Sequence, residues 1–343
     1  MSNRPTIADL ARTAGVSTAT VDRVLSGRTP VRPETARKVH DAARAIGFHA
    51  ADLIGRRVTS DLPALTVGVV LGPEREGFAQ AMRPALEAAA AEARGVVGRV
   101  VIAHASGADP AEHARLIDAM AGRVDALAAI AVDHPEVTAA VERLTRRGTP
   151  VFALCSDFGR GFRRDYIGLD NQRMGRVAAH ILRVTTPEEG PLAVVTGGQR
   201  WNGAELRETG CRSYLRECAS GHRLRDLVVA EDGPGATERA VGRLLAAQPD
   251  LVGLYCAGGD AEGAIAAVRA VRPERGLRLV VHELTEVSRR ALADHVVDLV
   301  IATPVEALCR ALFAQAAGAV MPGDGAARAP GLLTPQLFLP EAI

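Results

Sequence analysis

From Leu65 onward the chain alternates short, almost unbroken apolar runs with longer stretches of helical period. The runs are 65–71, 97–104, 126–131, 151–154, 192–196, 251–255, 277–282 and 299–302, and helical patterns fill 79–94, 135–147, 171–184 and 205–218 between them. A strand that is apolar at every position, not every second one, must be covered on both faces, and strands separated by helices return parallel. This alternation restricts the region to α/β architecture, with parallel sheets between helical layers and ligands expected at the carboxyl ends of the strands.

At 343 residues the chain exceeds one average domain, so one small unit and one bilobed unit fit. With 48% hydrophobic and 24% charged residues, its composition is that of a soluble globular protein. No stretch reaches the roughly 18 apolar residues of a membrane span, and Met1 to Ala11 hold no apolar signal core, which predicts a cytoplasmic protein without membrane partners. The cysteines, at 155, 211, 218, 256 and 309, are odd in number and lack a C-x-x-C pair, which argues against a disulfide framework and against a metal site. Neither a dinucleotide-binding glycine fingerprint nor a phosphate-binding loop is present, and G-x-S-x-G and H-E-x-x-H are absent. No cofactor and no nucleophile–base pair is readable, so the sequence predicts a binding protein and not an enzyme.

The first sixty residues read differently. Ile7, Leu10, Ala11 and Ala14 follow the i, i+3, i+4, i+7 spacing of a helix stripe, with Thr6 as N-cap and Asp9 in the first turn. Gly15 supplies a left-handed turn, and Ser17 caps a second helix that buries Val21, Val24 and Leu25 and ends at Ser26-Gly27. Pro33 opens a third helix with Val39, Ala42 and Ile46 inward, closed by Gly47. Two helices joined by a three-residue turn form the geometry that lays the second into the DNA major groove, leaving Thr18, Ala19 and Arg23 outward. The charge agrees: residues 1–58 hold ten Arg/Lys against five Asp/Glu in a chain whose total is +1, so the basic surplus is confined to the front.

The segment TIADLARTAGVSTATVDRVLSG closely resembles the N-terminus of the LacI-type family of regulators. By that resemblance Thr18, Ala19 and Arg23 match base-reading positions, and Thr6, Ser17, Thr20, Arg32 and Thr35 match phosphate-contacting ones. Arg23 is the strongest base reader of the set, since a guanidinium can bond guanine bidentately, while Ala19 offers only a methyl contact. Asp22 departs from the serine expected there. Following Gly47-Phe48, the family forms a hinge helix that drives a leucine into the minor groove. Here Ala50-Ala51 stand for the usual Pro-Asn, and Arg57 stands for the wedge leucine. Three readings stay open: Arg56 and Arg57 follow a narrow minor groove electrostatically, Leu53 acts as the wedge in a shifted register, or the stretch is a solvated basic linker.

In the large region, PVFALCSDFGRGFRRDYIGLDN, LRETGCRSYL and LVVHELT resemble landmarks of the same family's sensor domain, a periplasmic-binding-protein-like fold of two lobes with three crossings and an effector between them. The resemblance places Arg207 at the arginine that bonds the effector and His282-Glu283 at an acidic ligand-binding position. Cys155 and Asp157 lie near another contact, Phe78 in a loop that often supplies one, and Trp201 in the loop before the Arg207 helix. Asp170-Asn171 reads as a helix cap first and an effector contact second. Arg and acidic side chains bond neighbouring hydroxyls while aromatic rings cover C–H faces, so a sugar or polyol is the expected effector.

The fold expected is therefore a small all-α helix-turn-helix domain over 1–47, a hinge over 48–64, and an α/β bilobed domain over 65–343. Its first lobe spans about 65–167 plus 303–330, and its second about 168–302 plus 331–343. The function expected is an allosteric repressor, a homodimer on double-stranded operator DNA released or engaged by its effector. The rivals are a solute-binding protein of a transport system, which shares the sensor fold but needs no basic bundle, and an α/β enzyme.

Overall fold

The computed structural model describes residues 4–343 apart from 30, 52, 56–61, 187–188, 199–200, 219–220, 226, 232, 234, 273–275 and 322–330, and leaves aside the side chain of Pro33. The chain forms two compact units, residues 1–64 with 94–97, and residues 65–93 with 98–343.

The small unit is helical. Helix α1 (Ile7–Ala14) opens with a capping box in which the Thr6 hydroxyl accepts from the Asp9 amide while the Asp9 carboxylate accepts from Thr6. Gly15 at φ 64° ends it, and α2 (Thr18–Ser26) starts on Ser17 and stops at Gly27, again left-handed. Helix α3 (Pro33–Ala45) completes the bundle. Its core is Leu10, Ala11, Val21, Val24, Val39, Ala42 and Ala43, joined by Phe48 and Ile54. Leu25 and Ile46, expected inside, are only partly buried. Residues 51 and 53–55 are helical and Ile54 is fully buried, so the bundle's core runs past the expected boundary at Gly47 into the expected hinge.

The large unit holds two sheets. The first has the order β12-β5-β4-β3-β1-β2, built from β1 (Ala64–Leu71), β2 (Val97–His104), β3 (Ala126–Ala129), β4 (Val151–Leu154), β5 (Asp165–Leu169) and β12 (Leu332–Leu333). The second has the order β13-β11-β10-β9-β6-β7, from β6 (Pro191–Thr196), β7 (Arg223–Leu224), β9 (Gly253–Cys256), β10 (Arg278–His282), β11 (Leu299–Ala302) and β13 (Gln336–Phe338), with β8 (Val228–Val229) beside β6. Every residue of β3, β4, β9 and β11 is buried, as two covered faces demand. The pairings are parallel, for example Leu127 with Val151 and Val280 with Leu299, except that β13 runs antiparallel to β11.

Helices α4 (Gly77–Glu92), α5 (Pro110–Asp118), α6 (Pro135–Arg146) and α12 (Val305–Val320) belong with the first sheet. With the second belong α7 (Asn171–Thr185), α8 (Asn202–Glu217), α9 (Ala236–Ala247), α10 (Ala261–Val271) and α11 (Glu286–Ala293). The chain passes between lobes after Leu169, after Ala302, and between Leu333 and Gln336. The first and third passages fall a few residues later than the expected boundaries at 167 and 330, because β5 continues to Leu169 and β12 pairs with it.

Candidate effector cleft and nucleic-acid interface

Helix α2 presents Thr18, Ala19, Asp22 and Arg23 to solvent while Val21 and Val24 face inward. The Arg23 Nε donates to the Ala19 carbonyl at 3.2 Å, a bond that an exposed guanidinium exchanges readily for another acceptor. Asp22 forms no ion pair with Arg23. Of the expected phosphate contacts, Arg32 is exposed and Thr35 half-buried in the first turn of α3, whereas the hydroxyls of Thr6, Ser17 and Thr20 are already engaged at the helix starts: Thr6 donates to Asp9 at 2.7 Å, and Ser17 and Thr20 bond each other at 2.9 Å. Leu53 is 46% exposed beside the buried Ile54, so its apolar side chain is available on the helical turn after the bundle. Arg56 and Arg57 lie outside the described residues.

In the large unit the strand ends carry the polar chemistry. Helices α7 and α8 pack at backbone contact: a Cβ on Gly175 would strike the Arg207 carbonyl, and one on Gly210 would strike that of Gln172. That close approach explains the glycine three residues after Arg207 and brings the arginine to the ends of the second sheet. Its Nε donates to the Asn171 Oδ1 at 2.7 Å and its Nη1 to the Ala257 carbonyl at 3.0 Å, leaving Nη2 without a protein acceptor among the described residues. Asn171, 4% exposed, is itself held by Nδ2 bonds to the Cys155 carbonyl and the Tyr166 hydroxyl. Asp170 caps α7 through the Arg173 amide. The neighbouring Glu208 carboxylate is taken by Arg212.

Glu283 follows β10 with its carboxylate accepting from the Thr303 amide at 2.9 Å and hydroxyl at 2.8 Å. Loss of hydration pushes its carboxyl above the usual range against the opposing pull of Thr303 and Arg207. Cys155 follows β4, and its thiol is pushed far up by loss of hydration and then by the Glu283 carboxylate. Both residues sit in the left-handed region, Cys155 at φ 60° and Glu283 at φ 65°, a conformation that L side chains adopt at a cost and that clusters at functional sites. His282, 7% exposed, bonds the Tyr255 hydroxyl through Nε2 at 2.7 Å. Burial holds its ring well below the ordinary histidine range, and the Arg207 charge adds to the effect.

Cys155, Arg207, His282 and Glu283 therefore converge. The Asp157 carboxylate is paired: Arg163 binds both its oxygens and Arg160 bonds one at 2.9 Å. Against desolvation, these arginines hold its carboxyl below the usual range. Arg160 also reaches across to the Asn202 side chain at 3.0 Å, and the Gly203 amide donates to the Ser156 hydroxyl at 3.2 Å, so the first turn of α8 is tied to the first lobe. Trp201, beside them, packs on the first-lobe core and meets the His113 ring edge-on at 6.0 Å. Phe78 is half-buried in the first turn of α4. The preceding Gly77 approaches Thr285 of the second lobe so closely that a Cβ would lie 3.0 Å from its methyl. Thr303, Asn171 and Tyr255 complete the cleft floor. Thr303 and Tyr255 had no distinguishing signal in the sequence, and Asn171 had only its place beside a cap.

An outward-facing second helix on a minimal bundle, followed by two parallel sheets whose strand ends gather polar side chains between the lobes, defines a ligand-sensing DNA-binding protein. The comparisons agree and narrow the class: residues 6–50 match the model of the bacterial regulatory proteins of the lacI family, and residues 67–323 match that of the periplasmic binding protein domain, so the chain belongs to the LacI-type regulators. It is 29% identical over 284 residues to an uncharacterized HTH-type transcriptional regulator in the aml 5′ region of Streptomyces limosus, covering 80% of this chain and 75% of that one. Over 49 residues, 14% of each chain, it is 49% identical to the HTH-type transcriptional regulator GntR of Pseudomonas aeruginosa. Among solved structures, a solute-binding protein of an ABC transporter from Burkholderia graminis in complex with D-arabinose shares the fold at TM-score 0.71 and 17% identity, covering 81% of this chain and 96% of that one. No helix among the described residues is long and apolar enough to cross a membrane.

Proposed function

We propose that the protein is a cytoplasmic homodimeric repressor whose affinity for an inverted-repeat operator is set by a neutral sugar or polyol bound between the lobes. The carrying observation is the convergence of Arg207, held by Asn171 and Ala257 with one Nη unused, with Glu283 and Cys155, both in left-handed backbone at strand ends. A guanidinium and a carboxyl side by side bond adjacent hydroxyls, one donating and one accepting or sharing a proton. The D-arabinose complex of the B. graminis relative lends the same chemical class support. On the DNA side, Arg23 with Thr18 and Ala19 would read bases, and Arg32, Thr35, Thr6, Ser17 and Thr20 would contact phosphates, the capped hydroxyls accepting a phosphate bond only by rearranging. Arg56, Arg57 and Leu53 would follow or enter the minor groove.

Effector and operator would each bias one equilibrium between lobe arrangements, so their effects on each other must be equal. Residues of both lobes meet at Arg160–Asn202, Ser156–Gly203 and Gly77–Thr285, which gives that equilibrium discrete contacts to make and break. The rival solute-binding role shares the large unit but leaves the helix-turn-helix without a purpose. Selection of bound fragments from a random DNA pool tests the operator half, with an inverted repeat expected. Recovery of fragments without two-fold symmetry would refute the dimeric reading.

A further inference from the structure

The first turn of α5 carries a histidine that the Arg207 cluster leaves unused. His113 is 0% exposed, and neither of its ring nitrogens has a hydrogen-bond partner among the described residues. Native interiors rarely leave such atoms unpaired, and each instance calls for an explanation. Its place in the fold is suggestive. Helix α5 begins soon after β2 ends, so its first turn lies where the strands of the first sheet terminate, the side on which such sheets receive ligands. Burial lowers the ring's basicity and keeps it neutral, with one N–H donor and one bare acceptor.

The ring neighbour of His113 is Trp201, which packs on the same first-lobe core. Its ring stands at 77° to His113, with 6.0 Å between centroids, and its residue is the N-cap of the helix that carries Arg207. The adjacent Gly203 amide bonds Ser156, so this wall is continuous with the cleft floor. The charged groups that act on His113 are the acidic Glu112 and Asp109, and Glu112 is engaged by the Ser106 amide and hydroxyl.

We propose that His113 is a second recognition residue of the cleft, donating to one effector hydroxyl and accepting from another while Trp201 covers the ligand's C–H face. This rests on the reading of the Arg207 cluster as the effector site. A neutral imidazole that both donates and accepts suits hydroxyl groups, so the effector proposed is a neutral sugar or cyclitol and not a sugar acid or sugar phosphate.

Trp201 is the only tryptophan in the chain, so its emission reports this wall without labelling. The probes are the D-aldopentoses, the D-aldohexoses and myo-inositol, with the hexose 6-phosphates and uronic acids as the anionic set, each titrated by emission and calorimetry. The full-length protein is compared with His113→Phe, His113→Gln and Arg207→Ala. A neutral probe should bind best; His113→Phe should weaken it about tenfold, the loss of one or two ligand hydrogen bonds. His113→Gln, which keeps a donor and an acceptor, should recover most of the affinity. His113→Leu carries the same test if the phenyl ring disturbs folding.

Unchanged affinity in His113→Phe or His113→Leu, with binding lost in Arg207→Ala, overturns the role of His113 alone. Unchanged affinity in all three overturns the cleft itself. A preference for the anionic probes refutes the ligand class, and binding of no probe refutes the neutral-sugar reading in both places.

Discussion

Replacing Arg207 by alanine separates the structural work of that side chain from its work on a ligand. In the effector-free protein the guanidinium makes two charge-assisted bonds, to the Asn171 side chain and the Ala257 carbonyl. Such bonds contribute about 1.5–3 kcal/mol each. Arg207 is only half-buried, so water can reach the stranded acceptors, and the lower end of the range applies: a loss of about 3 kcal/mol for the pair. Effector binding should fall a further ten- to a hundredfold, roughly 1.4–2.8 kcal/mol, because the remaining Nη loses its ligand acceptor. Affinity of the effector-free protein for operator should be unchanged, since the helix-turn-helix is a separate compact unit. Urea unfolding followed by circular dichroism reads the first quantity, calorimetric titration the second and an operator shift assay the third. A loss of stability below about 1 kcal/mol together with unaltered effector affinity would show that Asn171 and Ala257 are satisfied without the guanidinium and that the pocket lies elsewhere.

Three further outcomes are expected. Glu283 has a raised carboxyl, so its contribution is fully present below the ordinary value of 4.5 and is lost as pH rises through the higher folded value. Glu283→Gln, which still accepts from Thr303, should therefore flatten the decline in stability from acid to neutral pH. An unaltered pH profile of the thermal midpoint would count against it. Arg23→Ala should relax preference at one base per half-site, by about 1–3 kcal/mol, while Thr35→Ala weakens all sites alike; binding to matched and mismatched operators distinguishes them, and equal losses from Arg23→Ala would make it a phosphate contact. Leu53→Ala should remove a central DNA bend in gel-phasing measurements if the exposed leucine is the wedge, and a bend that persists would leave the hinge arginines responsible.

The parallel sheets were legible because their central strands are buried on both faces and so are apolar without interruption. Strand β5 escaped notice since its first residues, Asp165 and Tyr166, are only half-buried and polar, and β12 and β13 are edge strands of two and three residues. The bundle's extension to Ile54 was hidden because the small apolar residues around it, Ala50 and Ala51, occupy positions where the family hinge has other residues. Arg207 was placed only by the resemblance of LRETGCRSYL, whose Gly210 the contact of α7 with α8 demands. The pairing of Asp157 was not legible without tertiary information: Arg160 and Arg163 stand three and six residues away, and only the loop's curvature turns both onto one carboxylate. His113 had no signal at all, as a single histidine at an inward helix position looks the same whether it fills space or meets a ligand.

The left-handed backbone at Cys155 and Glu283 bears on any attempt to improve this protein. A search for more robust variants would be drawn to both sites, since glycine adopts that backbone without strain, although at Glu283 it would also leave the Thr303 amide and hydroxyl without their acceptor. The same replacements would erase two of the side chains gathered at the cleft, which on the proposed reading yields a molecule that holds its operator and no longer hears its signal. Thermal screening alone would not register that loss, so selection for hardiness in this scaffold has to be paired with a readout of response.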